Sequence, residues 1–195
     1  IMQIEAIFAA KISIKAKYNF DVDLEIMIPF LSDKAEFEAL KKTIDQIASS
    51  LNQHNYKVGG MLEIPRAALL ADTIATSADY FSFGTNDLTQ TIYGLSRDDS
   101  GKFLQQYLDK KIYEFDPFVE LDQEGVGAIM SIAINKARQV KPNISFSICG
   151  EHACHQSGID FAIMHDINYV SCSPYNIPIA ILTIAQKQIA NKKLN

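Results

Sequence analysis

Five short apolar runs, each followed by a stretch with helical spacing, constrain this chain more than any other feature. They are VDLEIMIPF (22–30), VGGMLEI (58–64), YFSFG (80–84), ISFSIC (144–149) and YVSC (169–172). Their lengths and their β-branched and aromatic content read as strands. The segments between them read as helices. Phe37, Leu40, Ile44, Ile47 and Leu51 recur at three- and four-residue intervals behind Ser32, a candidate cap, and Asp33 in the first turn. PRAALLADTIATSA carries Pro65 at an acceptable first position, and further helices run from about Val126 to Gln139, over HQSGIDFAIMHD, and from Ile177 to about Lys192. Strands alternating with helices imply parallel βα units and an α/β fold. Parallel strands need cover on both faces, which leaves an open doubly wound sheet or a (β/α)8 barrel. A complete barrel takes about 250 residues. Five units are therefore an open sheet, or an incomplete barrel lacking about three units.

The first eighteen residues, IMQIEAIFAAKISIKAKY, read as a helix already under way, with Ile1, Ile4, Ile7, Phe8 and Ile12 on an apolar face. The initial Ile reads as the inside of a longer coding sequence, unless Met2 is the start. A mainly polar section from Asn86 to Glu124 interrupts the alternation and reads as an insertion after one strand. Nothing marks a second domain, so residues 1–195 are one unit.

With 18 Lys and Arg against 23 Asp and Glu, the formal charge of -5 provides no net basic field for nucleic acid. Anionic ligands must be met by local groups. Three cysteines, an odd and sparse set, fit a reducing compartment. No run approaches the roughly 20 apolar residues of a membrane span, and no signal peptide opens the chain. A cytoplasmic protein is the expectation.

Polar residues gather at the carboxyl ends of the apolar runs: Glu63 after GML, Asn86 and Asp87 after YFSFGT, Cys149 with Glu151 and His152 after SFSI, and Ser171 to Ser173 after YV. In parallel α/β folds ligands bind at that edge. Glu63 and Asp87, from successive strands, suit a hard cation such as Mg²⁺, which takes one or two protein carboxylates and completes its shell with water and substrate oxygens. Asp87 reads equally as a helix cap. For Glu63, in an apolar setting, a metal or ion-pair partner is expected. Cys149 is either buried filler or, with Gly150 permitting close approach, a proton carrier at carbon. Arg97 in LSRDD meets a phosphate or pairs with Asp98 or Asp99. Thr85 and Ser173 are anion donors or turn residues. CGEHACH lacks the separated ligand pairs of a structural zinc site, and neither GxGxxG nor GxxxxGK[ST] is present.

GGMLEIPRAAL, YFSFGTNDLTQ, LSRDD, DPF, GVG, ICGEH and YVSCSP follow one another in an order that resembles the carboxyl-terminal phosphoenolpyruvate/pyruvate-binding barrel of the PEP-utilising enzymes. The resemblance runs through essentially the whole chain. LSRDD and YVSCSPY favour the pyruvate, phosphate dikinases over their relatives, phosphoenolpyruvate synthase and enzyme I of the sugar phosphotransferase system.

The resemblance implies an incomplete TIM barrel, about the last five of eight units. It implies that Glu63 and Asp87 bind Mg²⁺, that Gly84, Thr85 and Asn86 with Glu63 and Asp87 line the substrate site, that Arg97 faces the phosphoryl group, and that Cys149 is the acid that protonates the enolate carbon. It also implies partners: pyruvate or phosphoenolpyruvate, the earlier barrel units with their two arginines, the phosphohistidine and ATP-grasp domains, and a second copy in a homodimer. The readings that stand beside it are a synthase fragment and a non-catalytic remnant. Two departures from the family pattern are Gly60, where Thr is usual, and Ala153-Cys154, where glycines are usual.

Overall fold

In a computed structural model the described residues are 1–193, with side chains described through residue 190. The five expected strands are present as β1 (Leu24–Ile28), β2 (Tyr56–Leu62), β3 (Tyr80–Gly84), β4 (Ser145–Cys149) and β5 (Tyr169–Ser171). They form one sheet in the order β1-β2-β3-β4-β5, every pair parallel. A doubly wound sheet must reverse its strand order at a switch point. This order never reverses, which decides for an arc of a (β/α)8 barrel.

The arc is strongly curved. In a flat sheet the outermost strands would stand about 19 Å apart, four spacings of roughly 4.8 Å. Here the Tyr169 hydroxyl of β5 donates to Glu25 Oε2 of β1 at 3.2 Å, and Lys57 Nζ of β2 donates to Glu25 Oε1 at 3.1 Å. Register explains the encounter. Glu25 pairs with Lys57, Met61 with Ser82, Gly84 with Cys149, and Cys149 with Ser171. With the side-chain period of two, these residues share the concave face of the arc, while Ile26, Val58, Phe81, Phe146 and Ile148 share the convex one.

Helices cover the convex face. α1 (Met2–Tyr18) buries Phe8 and Lys11 and packs Ile4 and Ile7 partly against the core, but leaves Ile1 and Ile12 exposed, so the expected apolar face is covered only in part. α2 (Lys34–Ser50) buries Phe37, Ile44 and Ala48, with Leu40 on its exposed side. Its cap is Asp33, whose side chain accepts from the Ala35 N–H at 2.9 Å. Ser32, the expected cap, instead donates to Glu36 at its hydroxyl and its amide. The stretch from Pro65 breaks at Leu70 into α3 (Pro65–Leu69) and α4 (Ala71–Ala75). The polar insertion carries α5 (Thr85–Tyr93), α6 (Arg97–Ser100) and α7 (Leu104–Asp109). Then α8 (Val126–Val140) buries Val126, Met130, Ala133, Ile134 and Ala137 against the sheet, and α9 (Gln156–Met164) and α10 (Ile177–Lys193) follow β4 and β5.

The central strand β3 is buried throughout, whereas the edge strand β5 is largely exposed. Beyond β5, α10 exposes Ile177, Ile179, Ile181, Leu182 and Ile189. An unpaired edge beside an apolar helix face is the surface that further βα units cover in a closed barrel. No helix among the described residues is long and apolar enough to cross a membrane.

Candidate functional site at the carboxyl edge of the sheet

β2 ends at Leu62, and the next residue, Glu63, turns into the concave side at the carboxyl edge, 3% exposed. Its Oε1 accepts the Phe30 N–H at 2.6 Å, so the exit of β1 holds the carboxylate from one side. Gly84 makes room for it. A β-carbon at Gly84 would lie 2.9 Å from Glu63 Cβ and 2.9 Å from Met61 Sδ, and closer still to Glu63 Oε2. The expected substrate residue Gly84 is thus placed first of all as the gap into which Glu63 fits.

Asp87 stands beside Glu63. It is neither cap nor turn residue: Gly84 occupies the cap position of α5 without a side-chain cap, and Asp87 is the third helical residue. Burial pushes the Glu63 carboxyl above its usual range, and the negative charge of Asp87 pushes the same way, against the Phe30 amide, which favours ionisation. A buried carboxylate beside a half-buried one is an arrangement that a cation would stabilise. The donor set, two hard carboxylate oxygen ligands, is of the kind that suits Mg²⁺ rather than a soft metal. Among the described residues no three or more His, Cys, Asp and Glu come together as a metal-holding group, so Glu63 and Asp87 stand as a pair.

Cys149 ends β4 opposite Gly84. Its Sγ lies 3.4 Å from the Phe83 carbonyl, to which it donates, and accepts from the Ser82 hydroxyl at 3.8 Å. Burial pushes the thiol up, Ser82 opposes this, and the negative charges of Glu63 and Asp87 add to the rise. The sulfur is held as a thiol. The next residue, Gly150, has φ 102°, and a β-carbon there would meet Thr85 Oγ1 at 2.8 Å and Asn86 Oδ1 at 3.0 Å.

Thr85 is fully buried and donates to the Cys149 carbonyl at 2.9 Å, which ties β3 to β4 and commits its hydroxyl hydrogen to the fold. Asn86 Oδ1 accepts the Glu151 N–H at 3.1 Å, leaving its amide NH₂ without a partner among the described residues. Arg97 pairs with neither Asp98 nor Asp99. Its Nη2 meets Glu151 Oε1 at 3.1 Å, an exposed pair at the rim. Ser173, by contrast, is exposed and precedes a 3₁₀ turn, Pro174–Asn176.

Of the departures from the family pattern, Cys154 touches this cluster, through the Glu151 backbone. Gly60 pairs with Phe81 on the convex side, where a β-carbon would press on Leu31 Cδ2 at 2.7 Å, so the missing threonine hydroxyl takes nothing from the carboxyl edge. Ala153 is buried in the helix-side core. Cys154 donates to the Glu151 carbonyl at 3.4 Å and accepts from Asn176 Nδ2 at 3.2 Å. His152, fully buried, is 3.0 Å from the Pro117 carbonyl through Nε2, and burial lowers its pKa. It pins the insertion to the β4 loop.

Ser82, Gln90 and Glu151 join the cluster without having been singled out as site residues. Ser82 had a legible signal. It is the polar residue between Phe81 and Phe83, two positions before Gly84 and on the same face.

Residues 1–189 match the family model described as PEP-utilising enzyme, PEP-binding domain. The chain belongs to this family. Among its curated relatives, the pyruvate, phosphate dikinase of Clostridium symbiosum is 46% identical over 196 residues, covering 98% of this chain and 22% of the relative. That of Rickettsia prowazekii (strain Madrid E) is 49% identical, covering 96% and 22%, and that of Giardia intestinalis 46%, covering 94% and 21%. This chain thus spans about a fifth of the length of the relatives it matches. In shape it is similar to a citrate lyase from Burkholderia xenovorans LB400, with a TM-score of 0.55 at 13% identity over 84% of this chain and 49% of that one. The likeness supports the incomplete-barrel architecture and nothing finer.

Proposed function

We propose that this PEP-binding domain supplies the pyruvate/phosphoenolpyruvate half of a pyruvate, phosphate dikinase, which interconverts ATP, pyruvate and phosphate with AMP, phosphoenolpyruvate and diphosphate. The observation that carries the proposal is the convergence of Glu63, Asp87 and Cys149 at the carboxyl edge of three successive strands, backed by relatives of that name. Phosphohistidine and ATP-grasp domains and the earlier barrel units are its proposed partners, with a second copy as dimer mate.

In this reading Glu63 and Asp87 hold Mg²⁺ in the cytoplasm of the cell. When bound, the ion supplies positive charge next to the oxygen that becomes negative as pyruvate enolises. The remaining steps belong to the chain's own residues. The first amides of α5, which carry no side-chain cap, and the free NH₂ of Asn86 orient the substrate carboxylate. Arg97 leaves Glu151 for the phosphoryl oxygens, an exchange of one anionic partner for another at the rim. In the direction of pyruvate, Cys149 S–H gives its proton to the methylene carbon, and Ser82 donates to the thiolate left behind. In reverse, the thiolate removes a methyl proton. A thiol kept protonated by burial suits the first task, because its proton is present at neutral pH.

Calorimetric titration of the chain with phosphoenolpyruvate, with and without Mg²⁺, tests the proposal. Binding that requires Mg²⁺ and is lost in Asp87→Ala supports it. No binding by a chain that melts cooperatively sinks it in favour of a non-catalytic remnant.

A further inference from the structure

The structure assigns Gln90 as a positioning residue that fixes the Asp87 carboxylate and the Arg97 backbone in one frame. The assignment rests on the magnesium reading of Glu63 and Asp87. On α5, residues 87 and 90 are one turn apart and face each other. Gln90 Nε2 donates to Asp87 Oδ1 at 3.1 Å, and Gln90 Oε1 accepts the Arg97 N–H at 2.8 Å. The orientation of the amide follows from chemistry: an ionised carboxylate only accepts, and a backbone N–H only donates. No other residue type of that length both donates and accepts through two separate neutral groups.

Each end of the bridge answers a local need. Asp87 has two oxygens, and with Oδ1 taken by Gln90 the carboxylate cannot turn freely, so Oδ2 is presented in one direction. Arg97 is the first residue of α6, whose cap, Ser96, gives no side-chain hydrogen bond. Without Gln90 its exposed amide would be left to water, which fixes no geometry. From there the frame continues, because the Arg97 guanidinium meets Glu151, and the Glu151 amide donates to Asn86 Oδ1, one residue before Asp87. Asp87, Gln90, Arg97, Glu151 and Asn86 form a closed ring of contacts around the rim. The ring joins α5, α6 and the turn after Cys149. Gln90 is the member that touches both the proposed metal ligand and the proposed phosphoryl-facing arginine, so it couples the two.

The test is a Mn²⁺ titration followed by electron paramagnetic resonance, with Mn²⁺ as the probe, on the full chain with and without phosphoenolpyruvate. The variants are Gln90→Met, which keeps length and removes both hydrogen bonds, and Gln90→Asn, which keeps the amide but is too short to span both partners. Loss of a group that orients a metal ligand costs on the order of 10–100-fold in metal affinity. We expect both variants to raise the Mn²⁺ dissociation constant by at least about 10-fold, to weaken phosphoenolpyruvate in parallel, and to keep one site per chain. A residue that merely supported the fold would lower the number of sites instead. Gln90→Asn changes little buried volume, so it reports even where Gln90→Met fails to fold. Wild-type affinity in folded Gln90→Asn overturns the role of Gln90, provided that Asp87→Ala has lost Mn²⁺. Absence of Mn²⁺ binding in the wild type, or full binding by Asp87→Ala, overturns the magnesium reading and the role of Gln90 with it.

Discussion

Tyr169 and Glu25 lie 144 residues apart in sequence, on the two outermost strands, and meet through a hydrogen bond of 3.2 Å across the concave face of the sheet. That bond reports curvature directly. It also makes the arc testable without any ligand. Tyr169→Phe removes one half-exposed hydrogen bond to a carboxylate that Lys57 also holds. Its expected cost is about 1 kcal/mol, seen as a fall of roughly 2–4 °C in the thermal midpoint. A flat, open arrangement in solution would leave the midpoint unchanged.

Gly84→Ala tests the fit of Glu63 into its gap. The new methyl meets Met61, which is partly exposed and can shift, and collides with Glu63, which cannot retreat because it is buried and held by Phe30. Overpacking of this kind costs about 1–3 kcal/mol, and divalent-cation binding should fall with it as the carboxylate is displaced. Gly101→Ala is the matched control, since a β-carbon there meets nothing within 4 Å. Its midpoint should stay within a degree or so of wild type, as for other surface changes within about 0.5 kcal/mol.

Glu63→Gln separates function from stability through pH. The folded-state pKa of Glu63 is raised, so its favourable contribution is fully present below the unfolded value and is lost as pH rises through the folded one. Above the unfolded value and without metal that contribution falls away, so at pH 7 Glu63 opposes folding relative to a neutral side chain. Glu63→Gln should therefore melt higher than wild type in EDTA at pH 7, with the gap closing toward pH 5. Mg²⁺ at a hundred times its dissociation constant should stabilise the wild type by about 2.7 kcal/mol and the variant by nothing measurable. Melts in EDTA that favour the wild type at both pH values would contradict the electrostatic account.

Cys149→Ala distinguishes a proton carrier from a structural thiol. With the full set of domains present, exchange of the pyruvate methyl protons in D₂O should slow by at least about 100-fold, while Mg²⁺-dependent binding of phosphoenolpyruvate stays within about twofold of wild type. Equal loss of exchange and of binding would mark the cysteine as structural. Ser82→Ala should give a smaller slowing, because it removes a long hydrogen bond and leaves the sulfur in place.

The sequence alone determined the number of strands, because each apolar run is local, whereas the helix expected from Pro65 is two helices and α5 and α6 were not legible inside the polar section. It also determined which edge gathers the polar residues, since Glu63, Asn86, Asp87 and Cys149 all follow the last apolar residue of a strand. Exact helix ends were less legible: Asp33 caps where Ser32 was expected, since both offer a suitable oxygen and only the entry angle of the chain selects between them. α1 was misread as one-sided because helical spacing shows which residues share a face, not whether a neighbour covers it. Tertiary structure decided the rest. Strand order chose a barrel arc over a doubly wound sheet, and order is a property of pairing between segments that no single segment encodes. Arg97 found Glu151 instead of its neighbours Asp98 and Asp99, and Gln90 found Asp87 and Arg97 together, because hydrogen-bond partners are chosen by position in space. Folding sets the ends of β2, β3 and β4 side by side, and that nearness is what gathers separate polar residues into one cluster.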